Sequence, residues 1–384
     1  MSVAPPTIGM VAGEASGDLL GAHLIAALRT HLPGARFIGI GGPRMQSEGL
    51  TSLYPMERLA VRGYAEVLRH YAGLVWMRRK LGRSLLDARP QLFIGVDAPD
   101  FNLGLEARLK RAGVPVVHYV SPSIWAWRGG RIAAIARSVD HVLALFPFEP
   151  AIFRNAGVAA SYVGHPLADL IPEQDQTAST RAQLRIAPGR KVIALLPGSR
   201  QSELRYMADT FIATAKLLAQ KIDQPLFLVP LVSRETREMF ESALYRANAA
   251  ELPLTILFGH ARDALAAADV ALVASGTATL EAALLKKPMV ITYKMAAASW
   301  LLMRRMGYQP YVGLPNILAG EFVVPELLQY DATPENLAQA LCNALNDSVL
   351  RARLPQRFSA IHRELKCNTA EQAARAVLPM LVAR

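Results

Sequence analysis

One pattern constrains this sequence most: short apolar runs recur along it, each followed by a polar turn and then a stretch of helical spacing. Thr7–Ala12, Phe37–Ile40, Leu92–Val96, Val114–Val120 and His141–Leu145 read as strands, with a helix expected near Asp18–Arg29. After a polar stretch at Glu173–Thr180, expected to be a linker, the alternation restarts. Lys191–Leu196, Leu226–Pro230, Leu254–Phe258, Val270–Ala274 and Pro288–Thr292 are the second set of strands. Strand and helix in alternation predict α/β folding around parallel sheets. The two rounds share no sequence repeat, only an architecture, so the expectation is two Rossmann-like domains with a cleft between them. The first spans residues 1–168 and the second 181–365.

Length agrees with that division, because 384 residues exceed what one ordinary core organises. With 52% hydrophobic and 19% charged residues, disorder is excluded. The only cysteines are Cys342 and Cys367, which offer neither a disulfide framework nor a zinc spacing and suit a reducing cytoplasm. The N-terminus lacks the basic and apolar segments of a signal peptide, and no apolar run is long enough to span a membrane. A net charge of +11 favours anionic partners: phosphorylated metabolites or an acidic membrane surface. The charges are dispersed, without a basic tail or aromatic–basic signature, so nucleic acid is not an expected partner.

Ligands of parallel sheets sit beyond the carboxyl ends of the strands, so the residues just after each run are the informative ones. In the second half, Lys191–Leu196 runs into Pro197, Gly198, Ser199 and Arg200, a glycine turn with an arginine at its tip. Val270–Ala274 runs into Ser275, Gly276 and Thr277, which open a helix carrying Glu281. Backbone N–H groups at a helix start attract phosphate. Glu281 lies six residues past Ser275, about 9 Å along a helix axis, a reach that lets it grip ribose hydroxyls. Either turn alone reads equally as a capped helix. Two of them in one half favour nucleotide binding.

The first half carries Gly13, Glu14, Ala15, Ser16, Gly17 and Asp18 after its first strand. Two carboxylates there repel a diphosphate, so Glu14, Ser16 and Asp18 are expected to contact sugar hydroxyls. The competing reading has Ser16 capping the helix and Asp18 complementing its dipole. Leu92–Val96 ends in Asp97, a candidate general base, while Asp100 is expected to cap the next helix. Ser121, Trp125 and Arg128, in a loop with two tryptophans, form either a binding wall or core packing.

These strings, in order, resemble the lipid-A-disaccharide synthase family: residues 12–18, 96–102, 120–128, 196–200, 274–281 and 314–320. The resemblance spans nearly the whole chain and is weakest at 171–190 and beyond Leu350. It implies a GT-B type glycosyltransferase, two Rossmann-like domains with a final helix (366–384) crossing back to the first. The implied donor is UDP-2,3-diacylglucosamine and the acceptor 2,3-diacylglucosamine 1-phosphate (lipid X). The products are a β-1,6-linked disaccharide and UDP, with no metal or other cofactor. The family's essential aspartate falls on Asp97, its nucleotide arginine on Arg200, its glutamate on Glu281 and its late asparagine on Asn316.

Inversion at the anomeric carbon requires a single displacement, with Asp97 taking the proton of the acceptor hydroxyl. Fixed donors, Arg200 and the helix start at Ser275–Thr277, would meet the charge on UDP. A UDP-sugar epimerase of the same architecture and a non-catalytic lipid-surface scaffold are the alternatives. Over Leu59–Arg83, Tyr64, Val67, Leu68, Tyr71, Leu74 and Val75 form a core-facing stripe. Trp76 and Met77 fall off it beside Arg78, Arg79 and Lys80. That arrangement reads as a surface helix or, given acylated substrates, as a contact with the anionic inner face of the cytoplasmic membrane. Acyl-chain length and oligomeric state are open, a homodimer included.

Overall fold

The computed structural model describes residues 5–59, 64–122, 131–297, 299–301 and 310–382, with backbone only at 64–72 and 382. It divides into two units. One comprises Met1–Asp169 and Leu365–Arg384, the other Leu170–Glu364.

The first unit is built on a seven-stranded sheet. Its strands are β1 (Thr7–Ala12), β2 (Arg36–Ile40), β3 (Leu50–Ser52), β4 (Leu92–Val96), β5 (Val116–Tyr119), β6 (His141–Ala144) and β7 (Ala159–Tyr162). Their order across the sheet is β3-β2-β1-β4-β5-β6-β7, and every pairing is parallel. Parallel strands need crossovers that cover the faces, and the side chains of β1 show the result. Ile8 and Met10 pack with Leu24, Ile25 and Leu28 of helix α1 (Ala15–His31). Val11 points the other way, into a cluster with Leu81 and Leu85 of α3 (Tyr64–Asp87) and Leu105 and Leu109 of α4 (Pro99–Arg111). A short helix, α2 (Pro43–Ser47), follows β2.

The second unit repeats the plan with six strands: β8 (Lys191–Leu196), β9 (Pro225–Leu231), β10 (Leu254–Phe258), β11 (Val270–Ala274), β12 (Met289–Tyr293) and β13 (Glu326–Leu328). Their order is β10-β9-β8-β11-β12-β13, again wholly parallel. Ile193 and Leu195 pack against Leu204, Phe211 and Leu218 of α5 (Gln201–Lys221). Helix α6 (Thr277–Leu284) follows β11, and α7 (Leu314–Ala319) precedes β13. The stretch expected to be a linker is partly helical, over Thr177–Gln183.

The last helix, α8 (Thr369–Val382), belongs to the first unit. Ala373, Ala374 and Val377 are fully buried in the same cluster as Ile8 and Leu24. Asp169 holds its start, its two carboxylate oxygens accepting from the N–H groups of Asn368 (2.9 Å) and Thr369 (2.7 Å).

Candidate active site

Strand order decides where a ligand can rest. In both sheets the chain winds outward from one strand, returns, and winds the other way: between β1 and β4 in the first unit, between β8 and β11 in the second. Crossovers leave from opposite faces at such a switch point, opening a crevice at the carboxyl ends of the two strands. The switch strands are followed by Gly13–Asp18 and Asp97 in one unit, and by Pro197–Arg200 and Ser275–Thr277 in the other.

In the second unit these turns line a cavity of about 400 Å³, together with Glu203, Pro230, Val232, Glu281 and Tyr293. Gly198 has a φ of +122°, a left-handed conformation costly for other residues, and a Cβ there would stand 2.6 Å from a Glu203 carboxylate oxygen. That carboxylate accepts from the backbone N–H groups of Ser199 (2.9 Å) and Arg200 (3.1 Å), so it fixes the turn from below. The Arg200 side chain itself stays 75% exposed, with its guanidinium 3.9 Å from Glu203. It is therefore available to an anion. Ser275 is tied down, its N–H donating to the Thr292 carbonyl (3.0 Å) and its hydroxyl to that of Val312 (3.0 Å). Gly276 and Thr277 are exposed at the start of α6. Burial raises the pKa of Glu281, with Arg262 opposing the rise. Burial and then Glu203 also push the Tyr293 phenol up, against Arg200.

Asn316 stands elsewhere. It is fully buried, and its amide is committed to the fold. Its Nδ2 donates to the Val324 carbonyl (2.9 Å) and Glu326 (2.8 Å), while its Oδ1 accepts from the N–H groups of Val323 (2.9 Å) and Val324 (3.0 Å). Glu326 in turn accepts from the N–H groups of Val312 and Gly313, both at 2.9 Å. Asn316 thus reaches Ser275 only through the loop it braces. The expected direct contact with nucleotide is replaced by a bracing one, because no amide hydrogen or lone pair is left over.

In the first unit, Asp97 and Ala98 both take left-handed backbone, with φ of 52° and 46°. Such conformations in non-glycine residues are uncommon and gather at functional sites. The turn is held by the Asp97 N–H donating to the Tyr119 carbonyl (2.8 Å) and by Asn102 Nδ2 donating to the Asp97 carbonyl (2.7 Å). The Asp97 carboxylate is half-buried and has no hydrogen-bond partner among the described residues. Beside it, a Cβ built on Gly13 would stand 2.8 Å from that of Ala98, so the β1 and β4 turns touch.

Glu14 and Ser16 are exposed on that rim, but Ser16 does not cap α1, whose cap position is Glu14. Asp18 lies in the first turn of α1, where it complements the dipole as the second reading expects, but it does not face a sugar. It is 3% exposed and accepts from the N–H groups of Arg44 (3.1 Å) and Met45 (3.0 Å), which open α2. A carboxylate so engaged braces a turn and is closed to sugar hydroxyls. Asp100 is not the cap of α4, a place taken by Ala98. It lies in the first turn and pairs with Arg131 at 2.8 Å. The Ser121 hydroxyl is buried and donates to the Pro122 carbonyl (3.2 Å). Trp125 and Arg128 lie outside the described residues.

On α3, Leu74 and Val75 are half-buried, and the side chains of Tyr64, Val67, Leu68 and Tyr71 lie outside the described residues. Met77 is 5% exposed and shares the spacing of buried Leu81 and Leu85, so it is a core residue and no surface contact. Trp76 is 60% exposed, with the Lys80 ammonium 5.2 Å from its ring centre. Arg78, Arg79 and Arg83 join Arg108 and Arg111 of α4 around a groove of about 710 Å³ whose lining holds no carboxylate.

Two wholly parallel α/β units, each with polar turns at its crossover, give this chain the GT-B class of fold. The UDP-GlcNAc 2-epimerase of Neisseria meningitidis, solved bound to UDP-GlcNAc, aligns over 98% of this chain and all of its own with a TM-score of 0.65 at 13% identity. MurG of Acinetobacter baumannii aligns over 98% of this chain and all of its own, with a TM-score of 0.55 at 15% identity. Likeness at that identity fixes the fold alone. The particular family comes from sequence. The profile described as Lipid-A-disaccharide synthetase matches residues 8–377. The lipid-A-disaccharide synthase of Dechloromonas aromatica is 59% identical over 97% of this chain and 98% of its own. That of Thiobacillus denitrificans is 52% identical over 97% of this chain and all of its own. This chain belongs to the lipid-A-disaccharide synthase family, and it is a glycosyltransferase of lipid A biosynthesis.

Proposed function

We propose that this chain transfers a 2,3-diacylglucosaminyl group from UDP to the 6-hydroxyl of 2,3-diacylglucosamine 1-phosphate, with inversion and without a metal. The observation that carries the reading is the pair of turns at the β8–β11 switch, which leave an exposed arginine and a helix start around one cavity. Diphosphate rests on Gly276, Thr277 and the backbone of Gly198 and Ser199, with Arg200 closing on it. Glu281, one turn into α6, meets the ribose. As the glycosidic bond breaks, negative charge grows on the UDP oxygen, and fixed donors there stabilise the transition state more than the ground state. Asp97 accepts the hydroxyl proton as that oxygen attacks the anomeric carbon, help of a kind worth about 10²–10⁴ in rate. Glu14 and Ser16, on the same rim as Asp97, are the candidates for acceptor hydroxyls.

The acylated substrates place the reaction at the inner face of the cytoplasmic membrane, and α3 offers a means of contact. Trp76, Arg78, Arg79 and Lys80, with the arginines of the neighbouring groove, suit an anionic surface. Among the described residues no helix is long and apolar enough to cross a membrane.

The deciding experiment incubates the protein with the acylated UDP-sugar, with and without the acylated sugar phosphate, under excess chelator. UDP release only with acceptor present is the expected result. Release or isomerisation of donor alone contradicts transfer. Activity that returns only on adding magnesium contradicts the metal-free route.

A further inference from the structure

The Asp97 turn is backed by a polar cluster that proton abstraction by a lone aspartate does not require. His118 on β5 and Glu106 on α4 meet at 2.6 Å, Nδ1 to Oε1, and both side chains have zero exposure. Asn102, one helical turn before Glu106, is also fully buried and donates to the carbonyls of Asp97 (2.7 Å) and Val11 (3.2 Å). Three buried atoms of the cluster have no partner among the described residues: Asn102 Oδ1, Glu106 Oε2 and His118 Nε2.

The backbone makes room for the pair. Gly95, paired with His118 across β4 and β5, would put a Cβ 2.0 Å from Glu106 Oε1. Any larger residue there drives the carboxylate off the ring.

Stability alone does not explain such a cluster. Removing two charged groups from water costs several kcal/mol each, and well-packed apolar replacements of buried pairs are often neutral or stabilising. Position does explain it. Asn102 and Glu106 stand on one face of α4, four residues apart, the first gripping the Asp97 carbonyl and the second gripping His118. The next residue along β5, Tyr119, accepts the Asp97 N–H. α4 and β5 therefore clamp the strained turn from its two sides, and the Glu106–His118 contact locks the clamp.

We propose that Glu106 and His118 are positioning residues for Asp97, a buried hydrogen-bonded pair that fixes its turn and couples to its carboxylate. The inference rests on Asp97 being the base. Burial by itself would lower the proton affinity of His118, but Glu106 and, more weakly, Asp97 outweigh it, so the pKa is raised. Those two carboxylates, one from α4 and one from the end of β4, are the titratable groups that act on the ring. Coupling is reciprocal.

The test reads the ring directly. In the full-length protein, the His118 imidazole is followed by NMR against pH, in wild type and in Asp97→Asn, an isosteric change on an accessible side chain. A lower His118 midpoint in Asp97→Asn is expected, and an unmoved midpoint overturns the coupling. In parallel, Glu106→Gln is assayed for transfer. Its kcat should fall on the order of 10–100-fold, since misplacement by an ångström can cost that much. KM and UDP affinity should change less than threefold. Gly95→Ala should reproduce the loss while keeping both charges. Wild-type kcat in a folded Glu106→Gln overturns the inference, while Asp97→Asn stays inactive. If Asp97→Asn itself retains turnover, the base assignment fails instead.

Discussion

Asp97 and Arg200 are both placed by the turn after a strand, yet they should fail differently when changed. Asp97→Asn keeps shape and removes the proposed proton acceptor, so turnover should drop at least 100-fold, while calorimetry should find UDP affinity unchanged. Turnover within tenfold of wild type would remove Asp97 from the chemistry. Arg200→Ala should weaken UDP on the order of 10–100-fold, the weight of a charge-assisted hydrogen bond. Glu281→Ala should weaken UDP but leave inorganic diphosphate nearly unaffected, because its proposed partner is the ribose; equal losses for both would contradict that placement. His165 supplies a pH test. Its ring is buried and accepts the Leu167 N–H through Nδ1, and burial lowers its pKa from 6.5 to about 4. Below pH 6.5 the unfolded chain takes up this proton while the folded one does not. Stability is therefore lost as pH falls from about 6.5 toward 4, by up to roughly 3 kcal/mol. In His165→Gln the fall of Tm across that window should be shallower than in wild type. Asp97, Arg200 and Ser275 were legible in sequence because they follow strands. Glu203 carried a signal that went unread, a glutamate at the third helical position after a glycine turn. Glu106 and His118 carried none, since nothing in the sequence brings two such residues to 2.6 Å.

Among the elements, β1, β4, β8, β10 and β11 match the strands read from sequence residue for residue, because each is a mainly apolar run of five or six residues. β3, β7 and β13 were not legible. Each is three or four residues long at an edge of its sheet and holds no continuous buried stretch, so no apolar run announces it. In helix α3, Met77, read from sequence as lying off the core-facing stripe, is buried with Leu81 and Leu85. Trp76 is left outside with the cations, which sharpens the test. A Trp76→Ser, Arg78→Glu, Arg79→Glu variant should no longer sediment with anionic liposomes at low salt, where wild type does, and high salt should release wild type. A folded variant that sediments normally would clear this segment of membrane contact.

At the scale of the whole molecule, the two rounds of strand and helix were plain in the sequence, whereas the order of strands was not, because crossovers leave no local mark. The placing of α8 is the other global feature. Ala373, Ala374 and Val377 complete a core whose strands all precede residue 163. A chain ending at Leu365 should leave that face open, lower the Tm of the first unit and bind a hydrophobic dye. Wild-type Tm and no dye binding would show α8 to be dispensable. The same feature sets a timetable for synthesis. At about 5–20 residues per second, the ribosome makes the whole second unit, Leu170–Glu364, before the helix that closes the first unit emerges. For on the order of ten to forty seconds, the nascent first unit waits with an uncovered apolar seam. During that interval it is a natural client for a chaperone, until α8 emerges and packs on the seam.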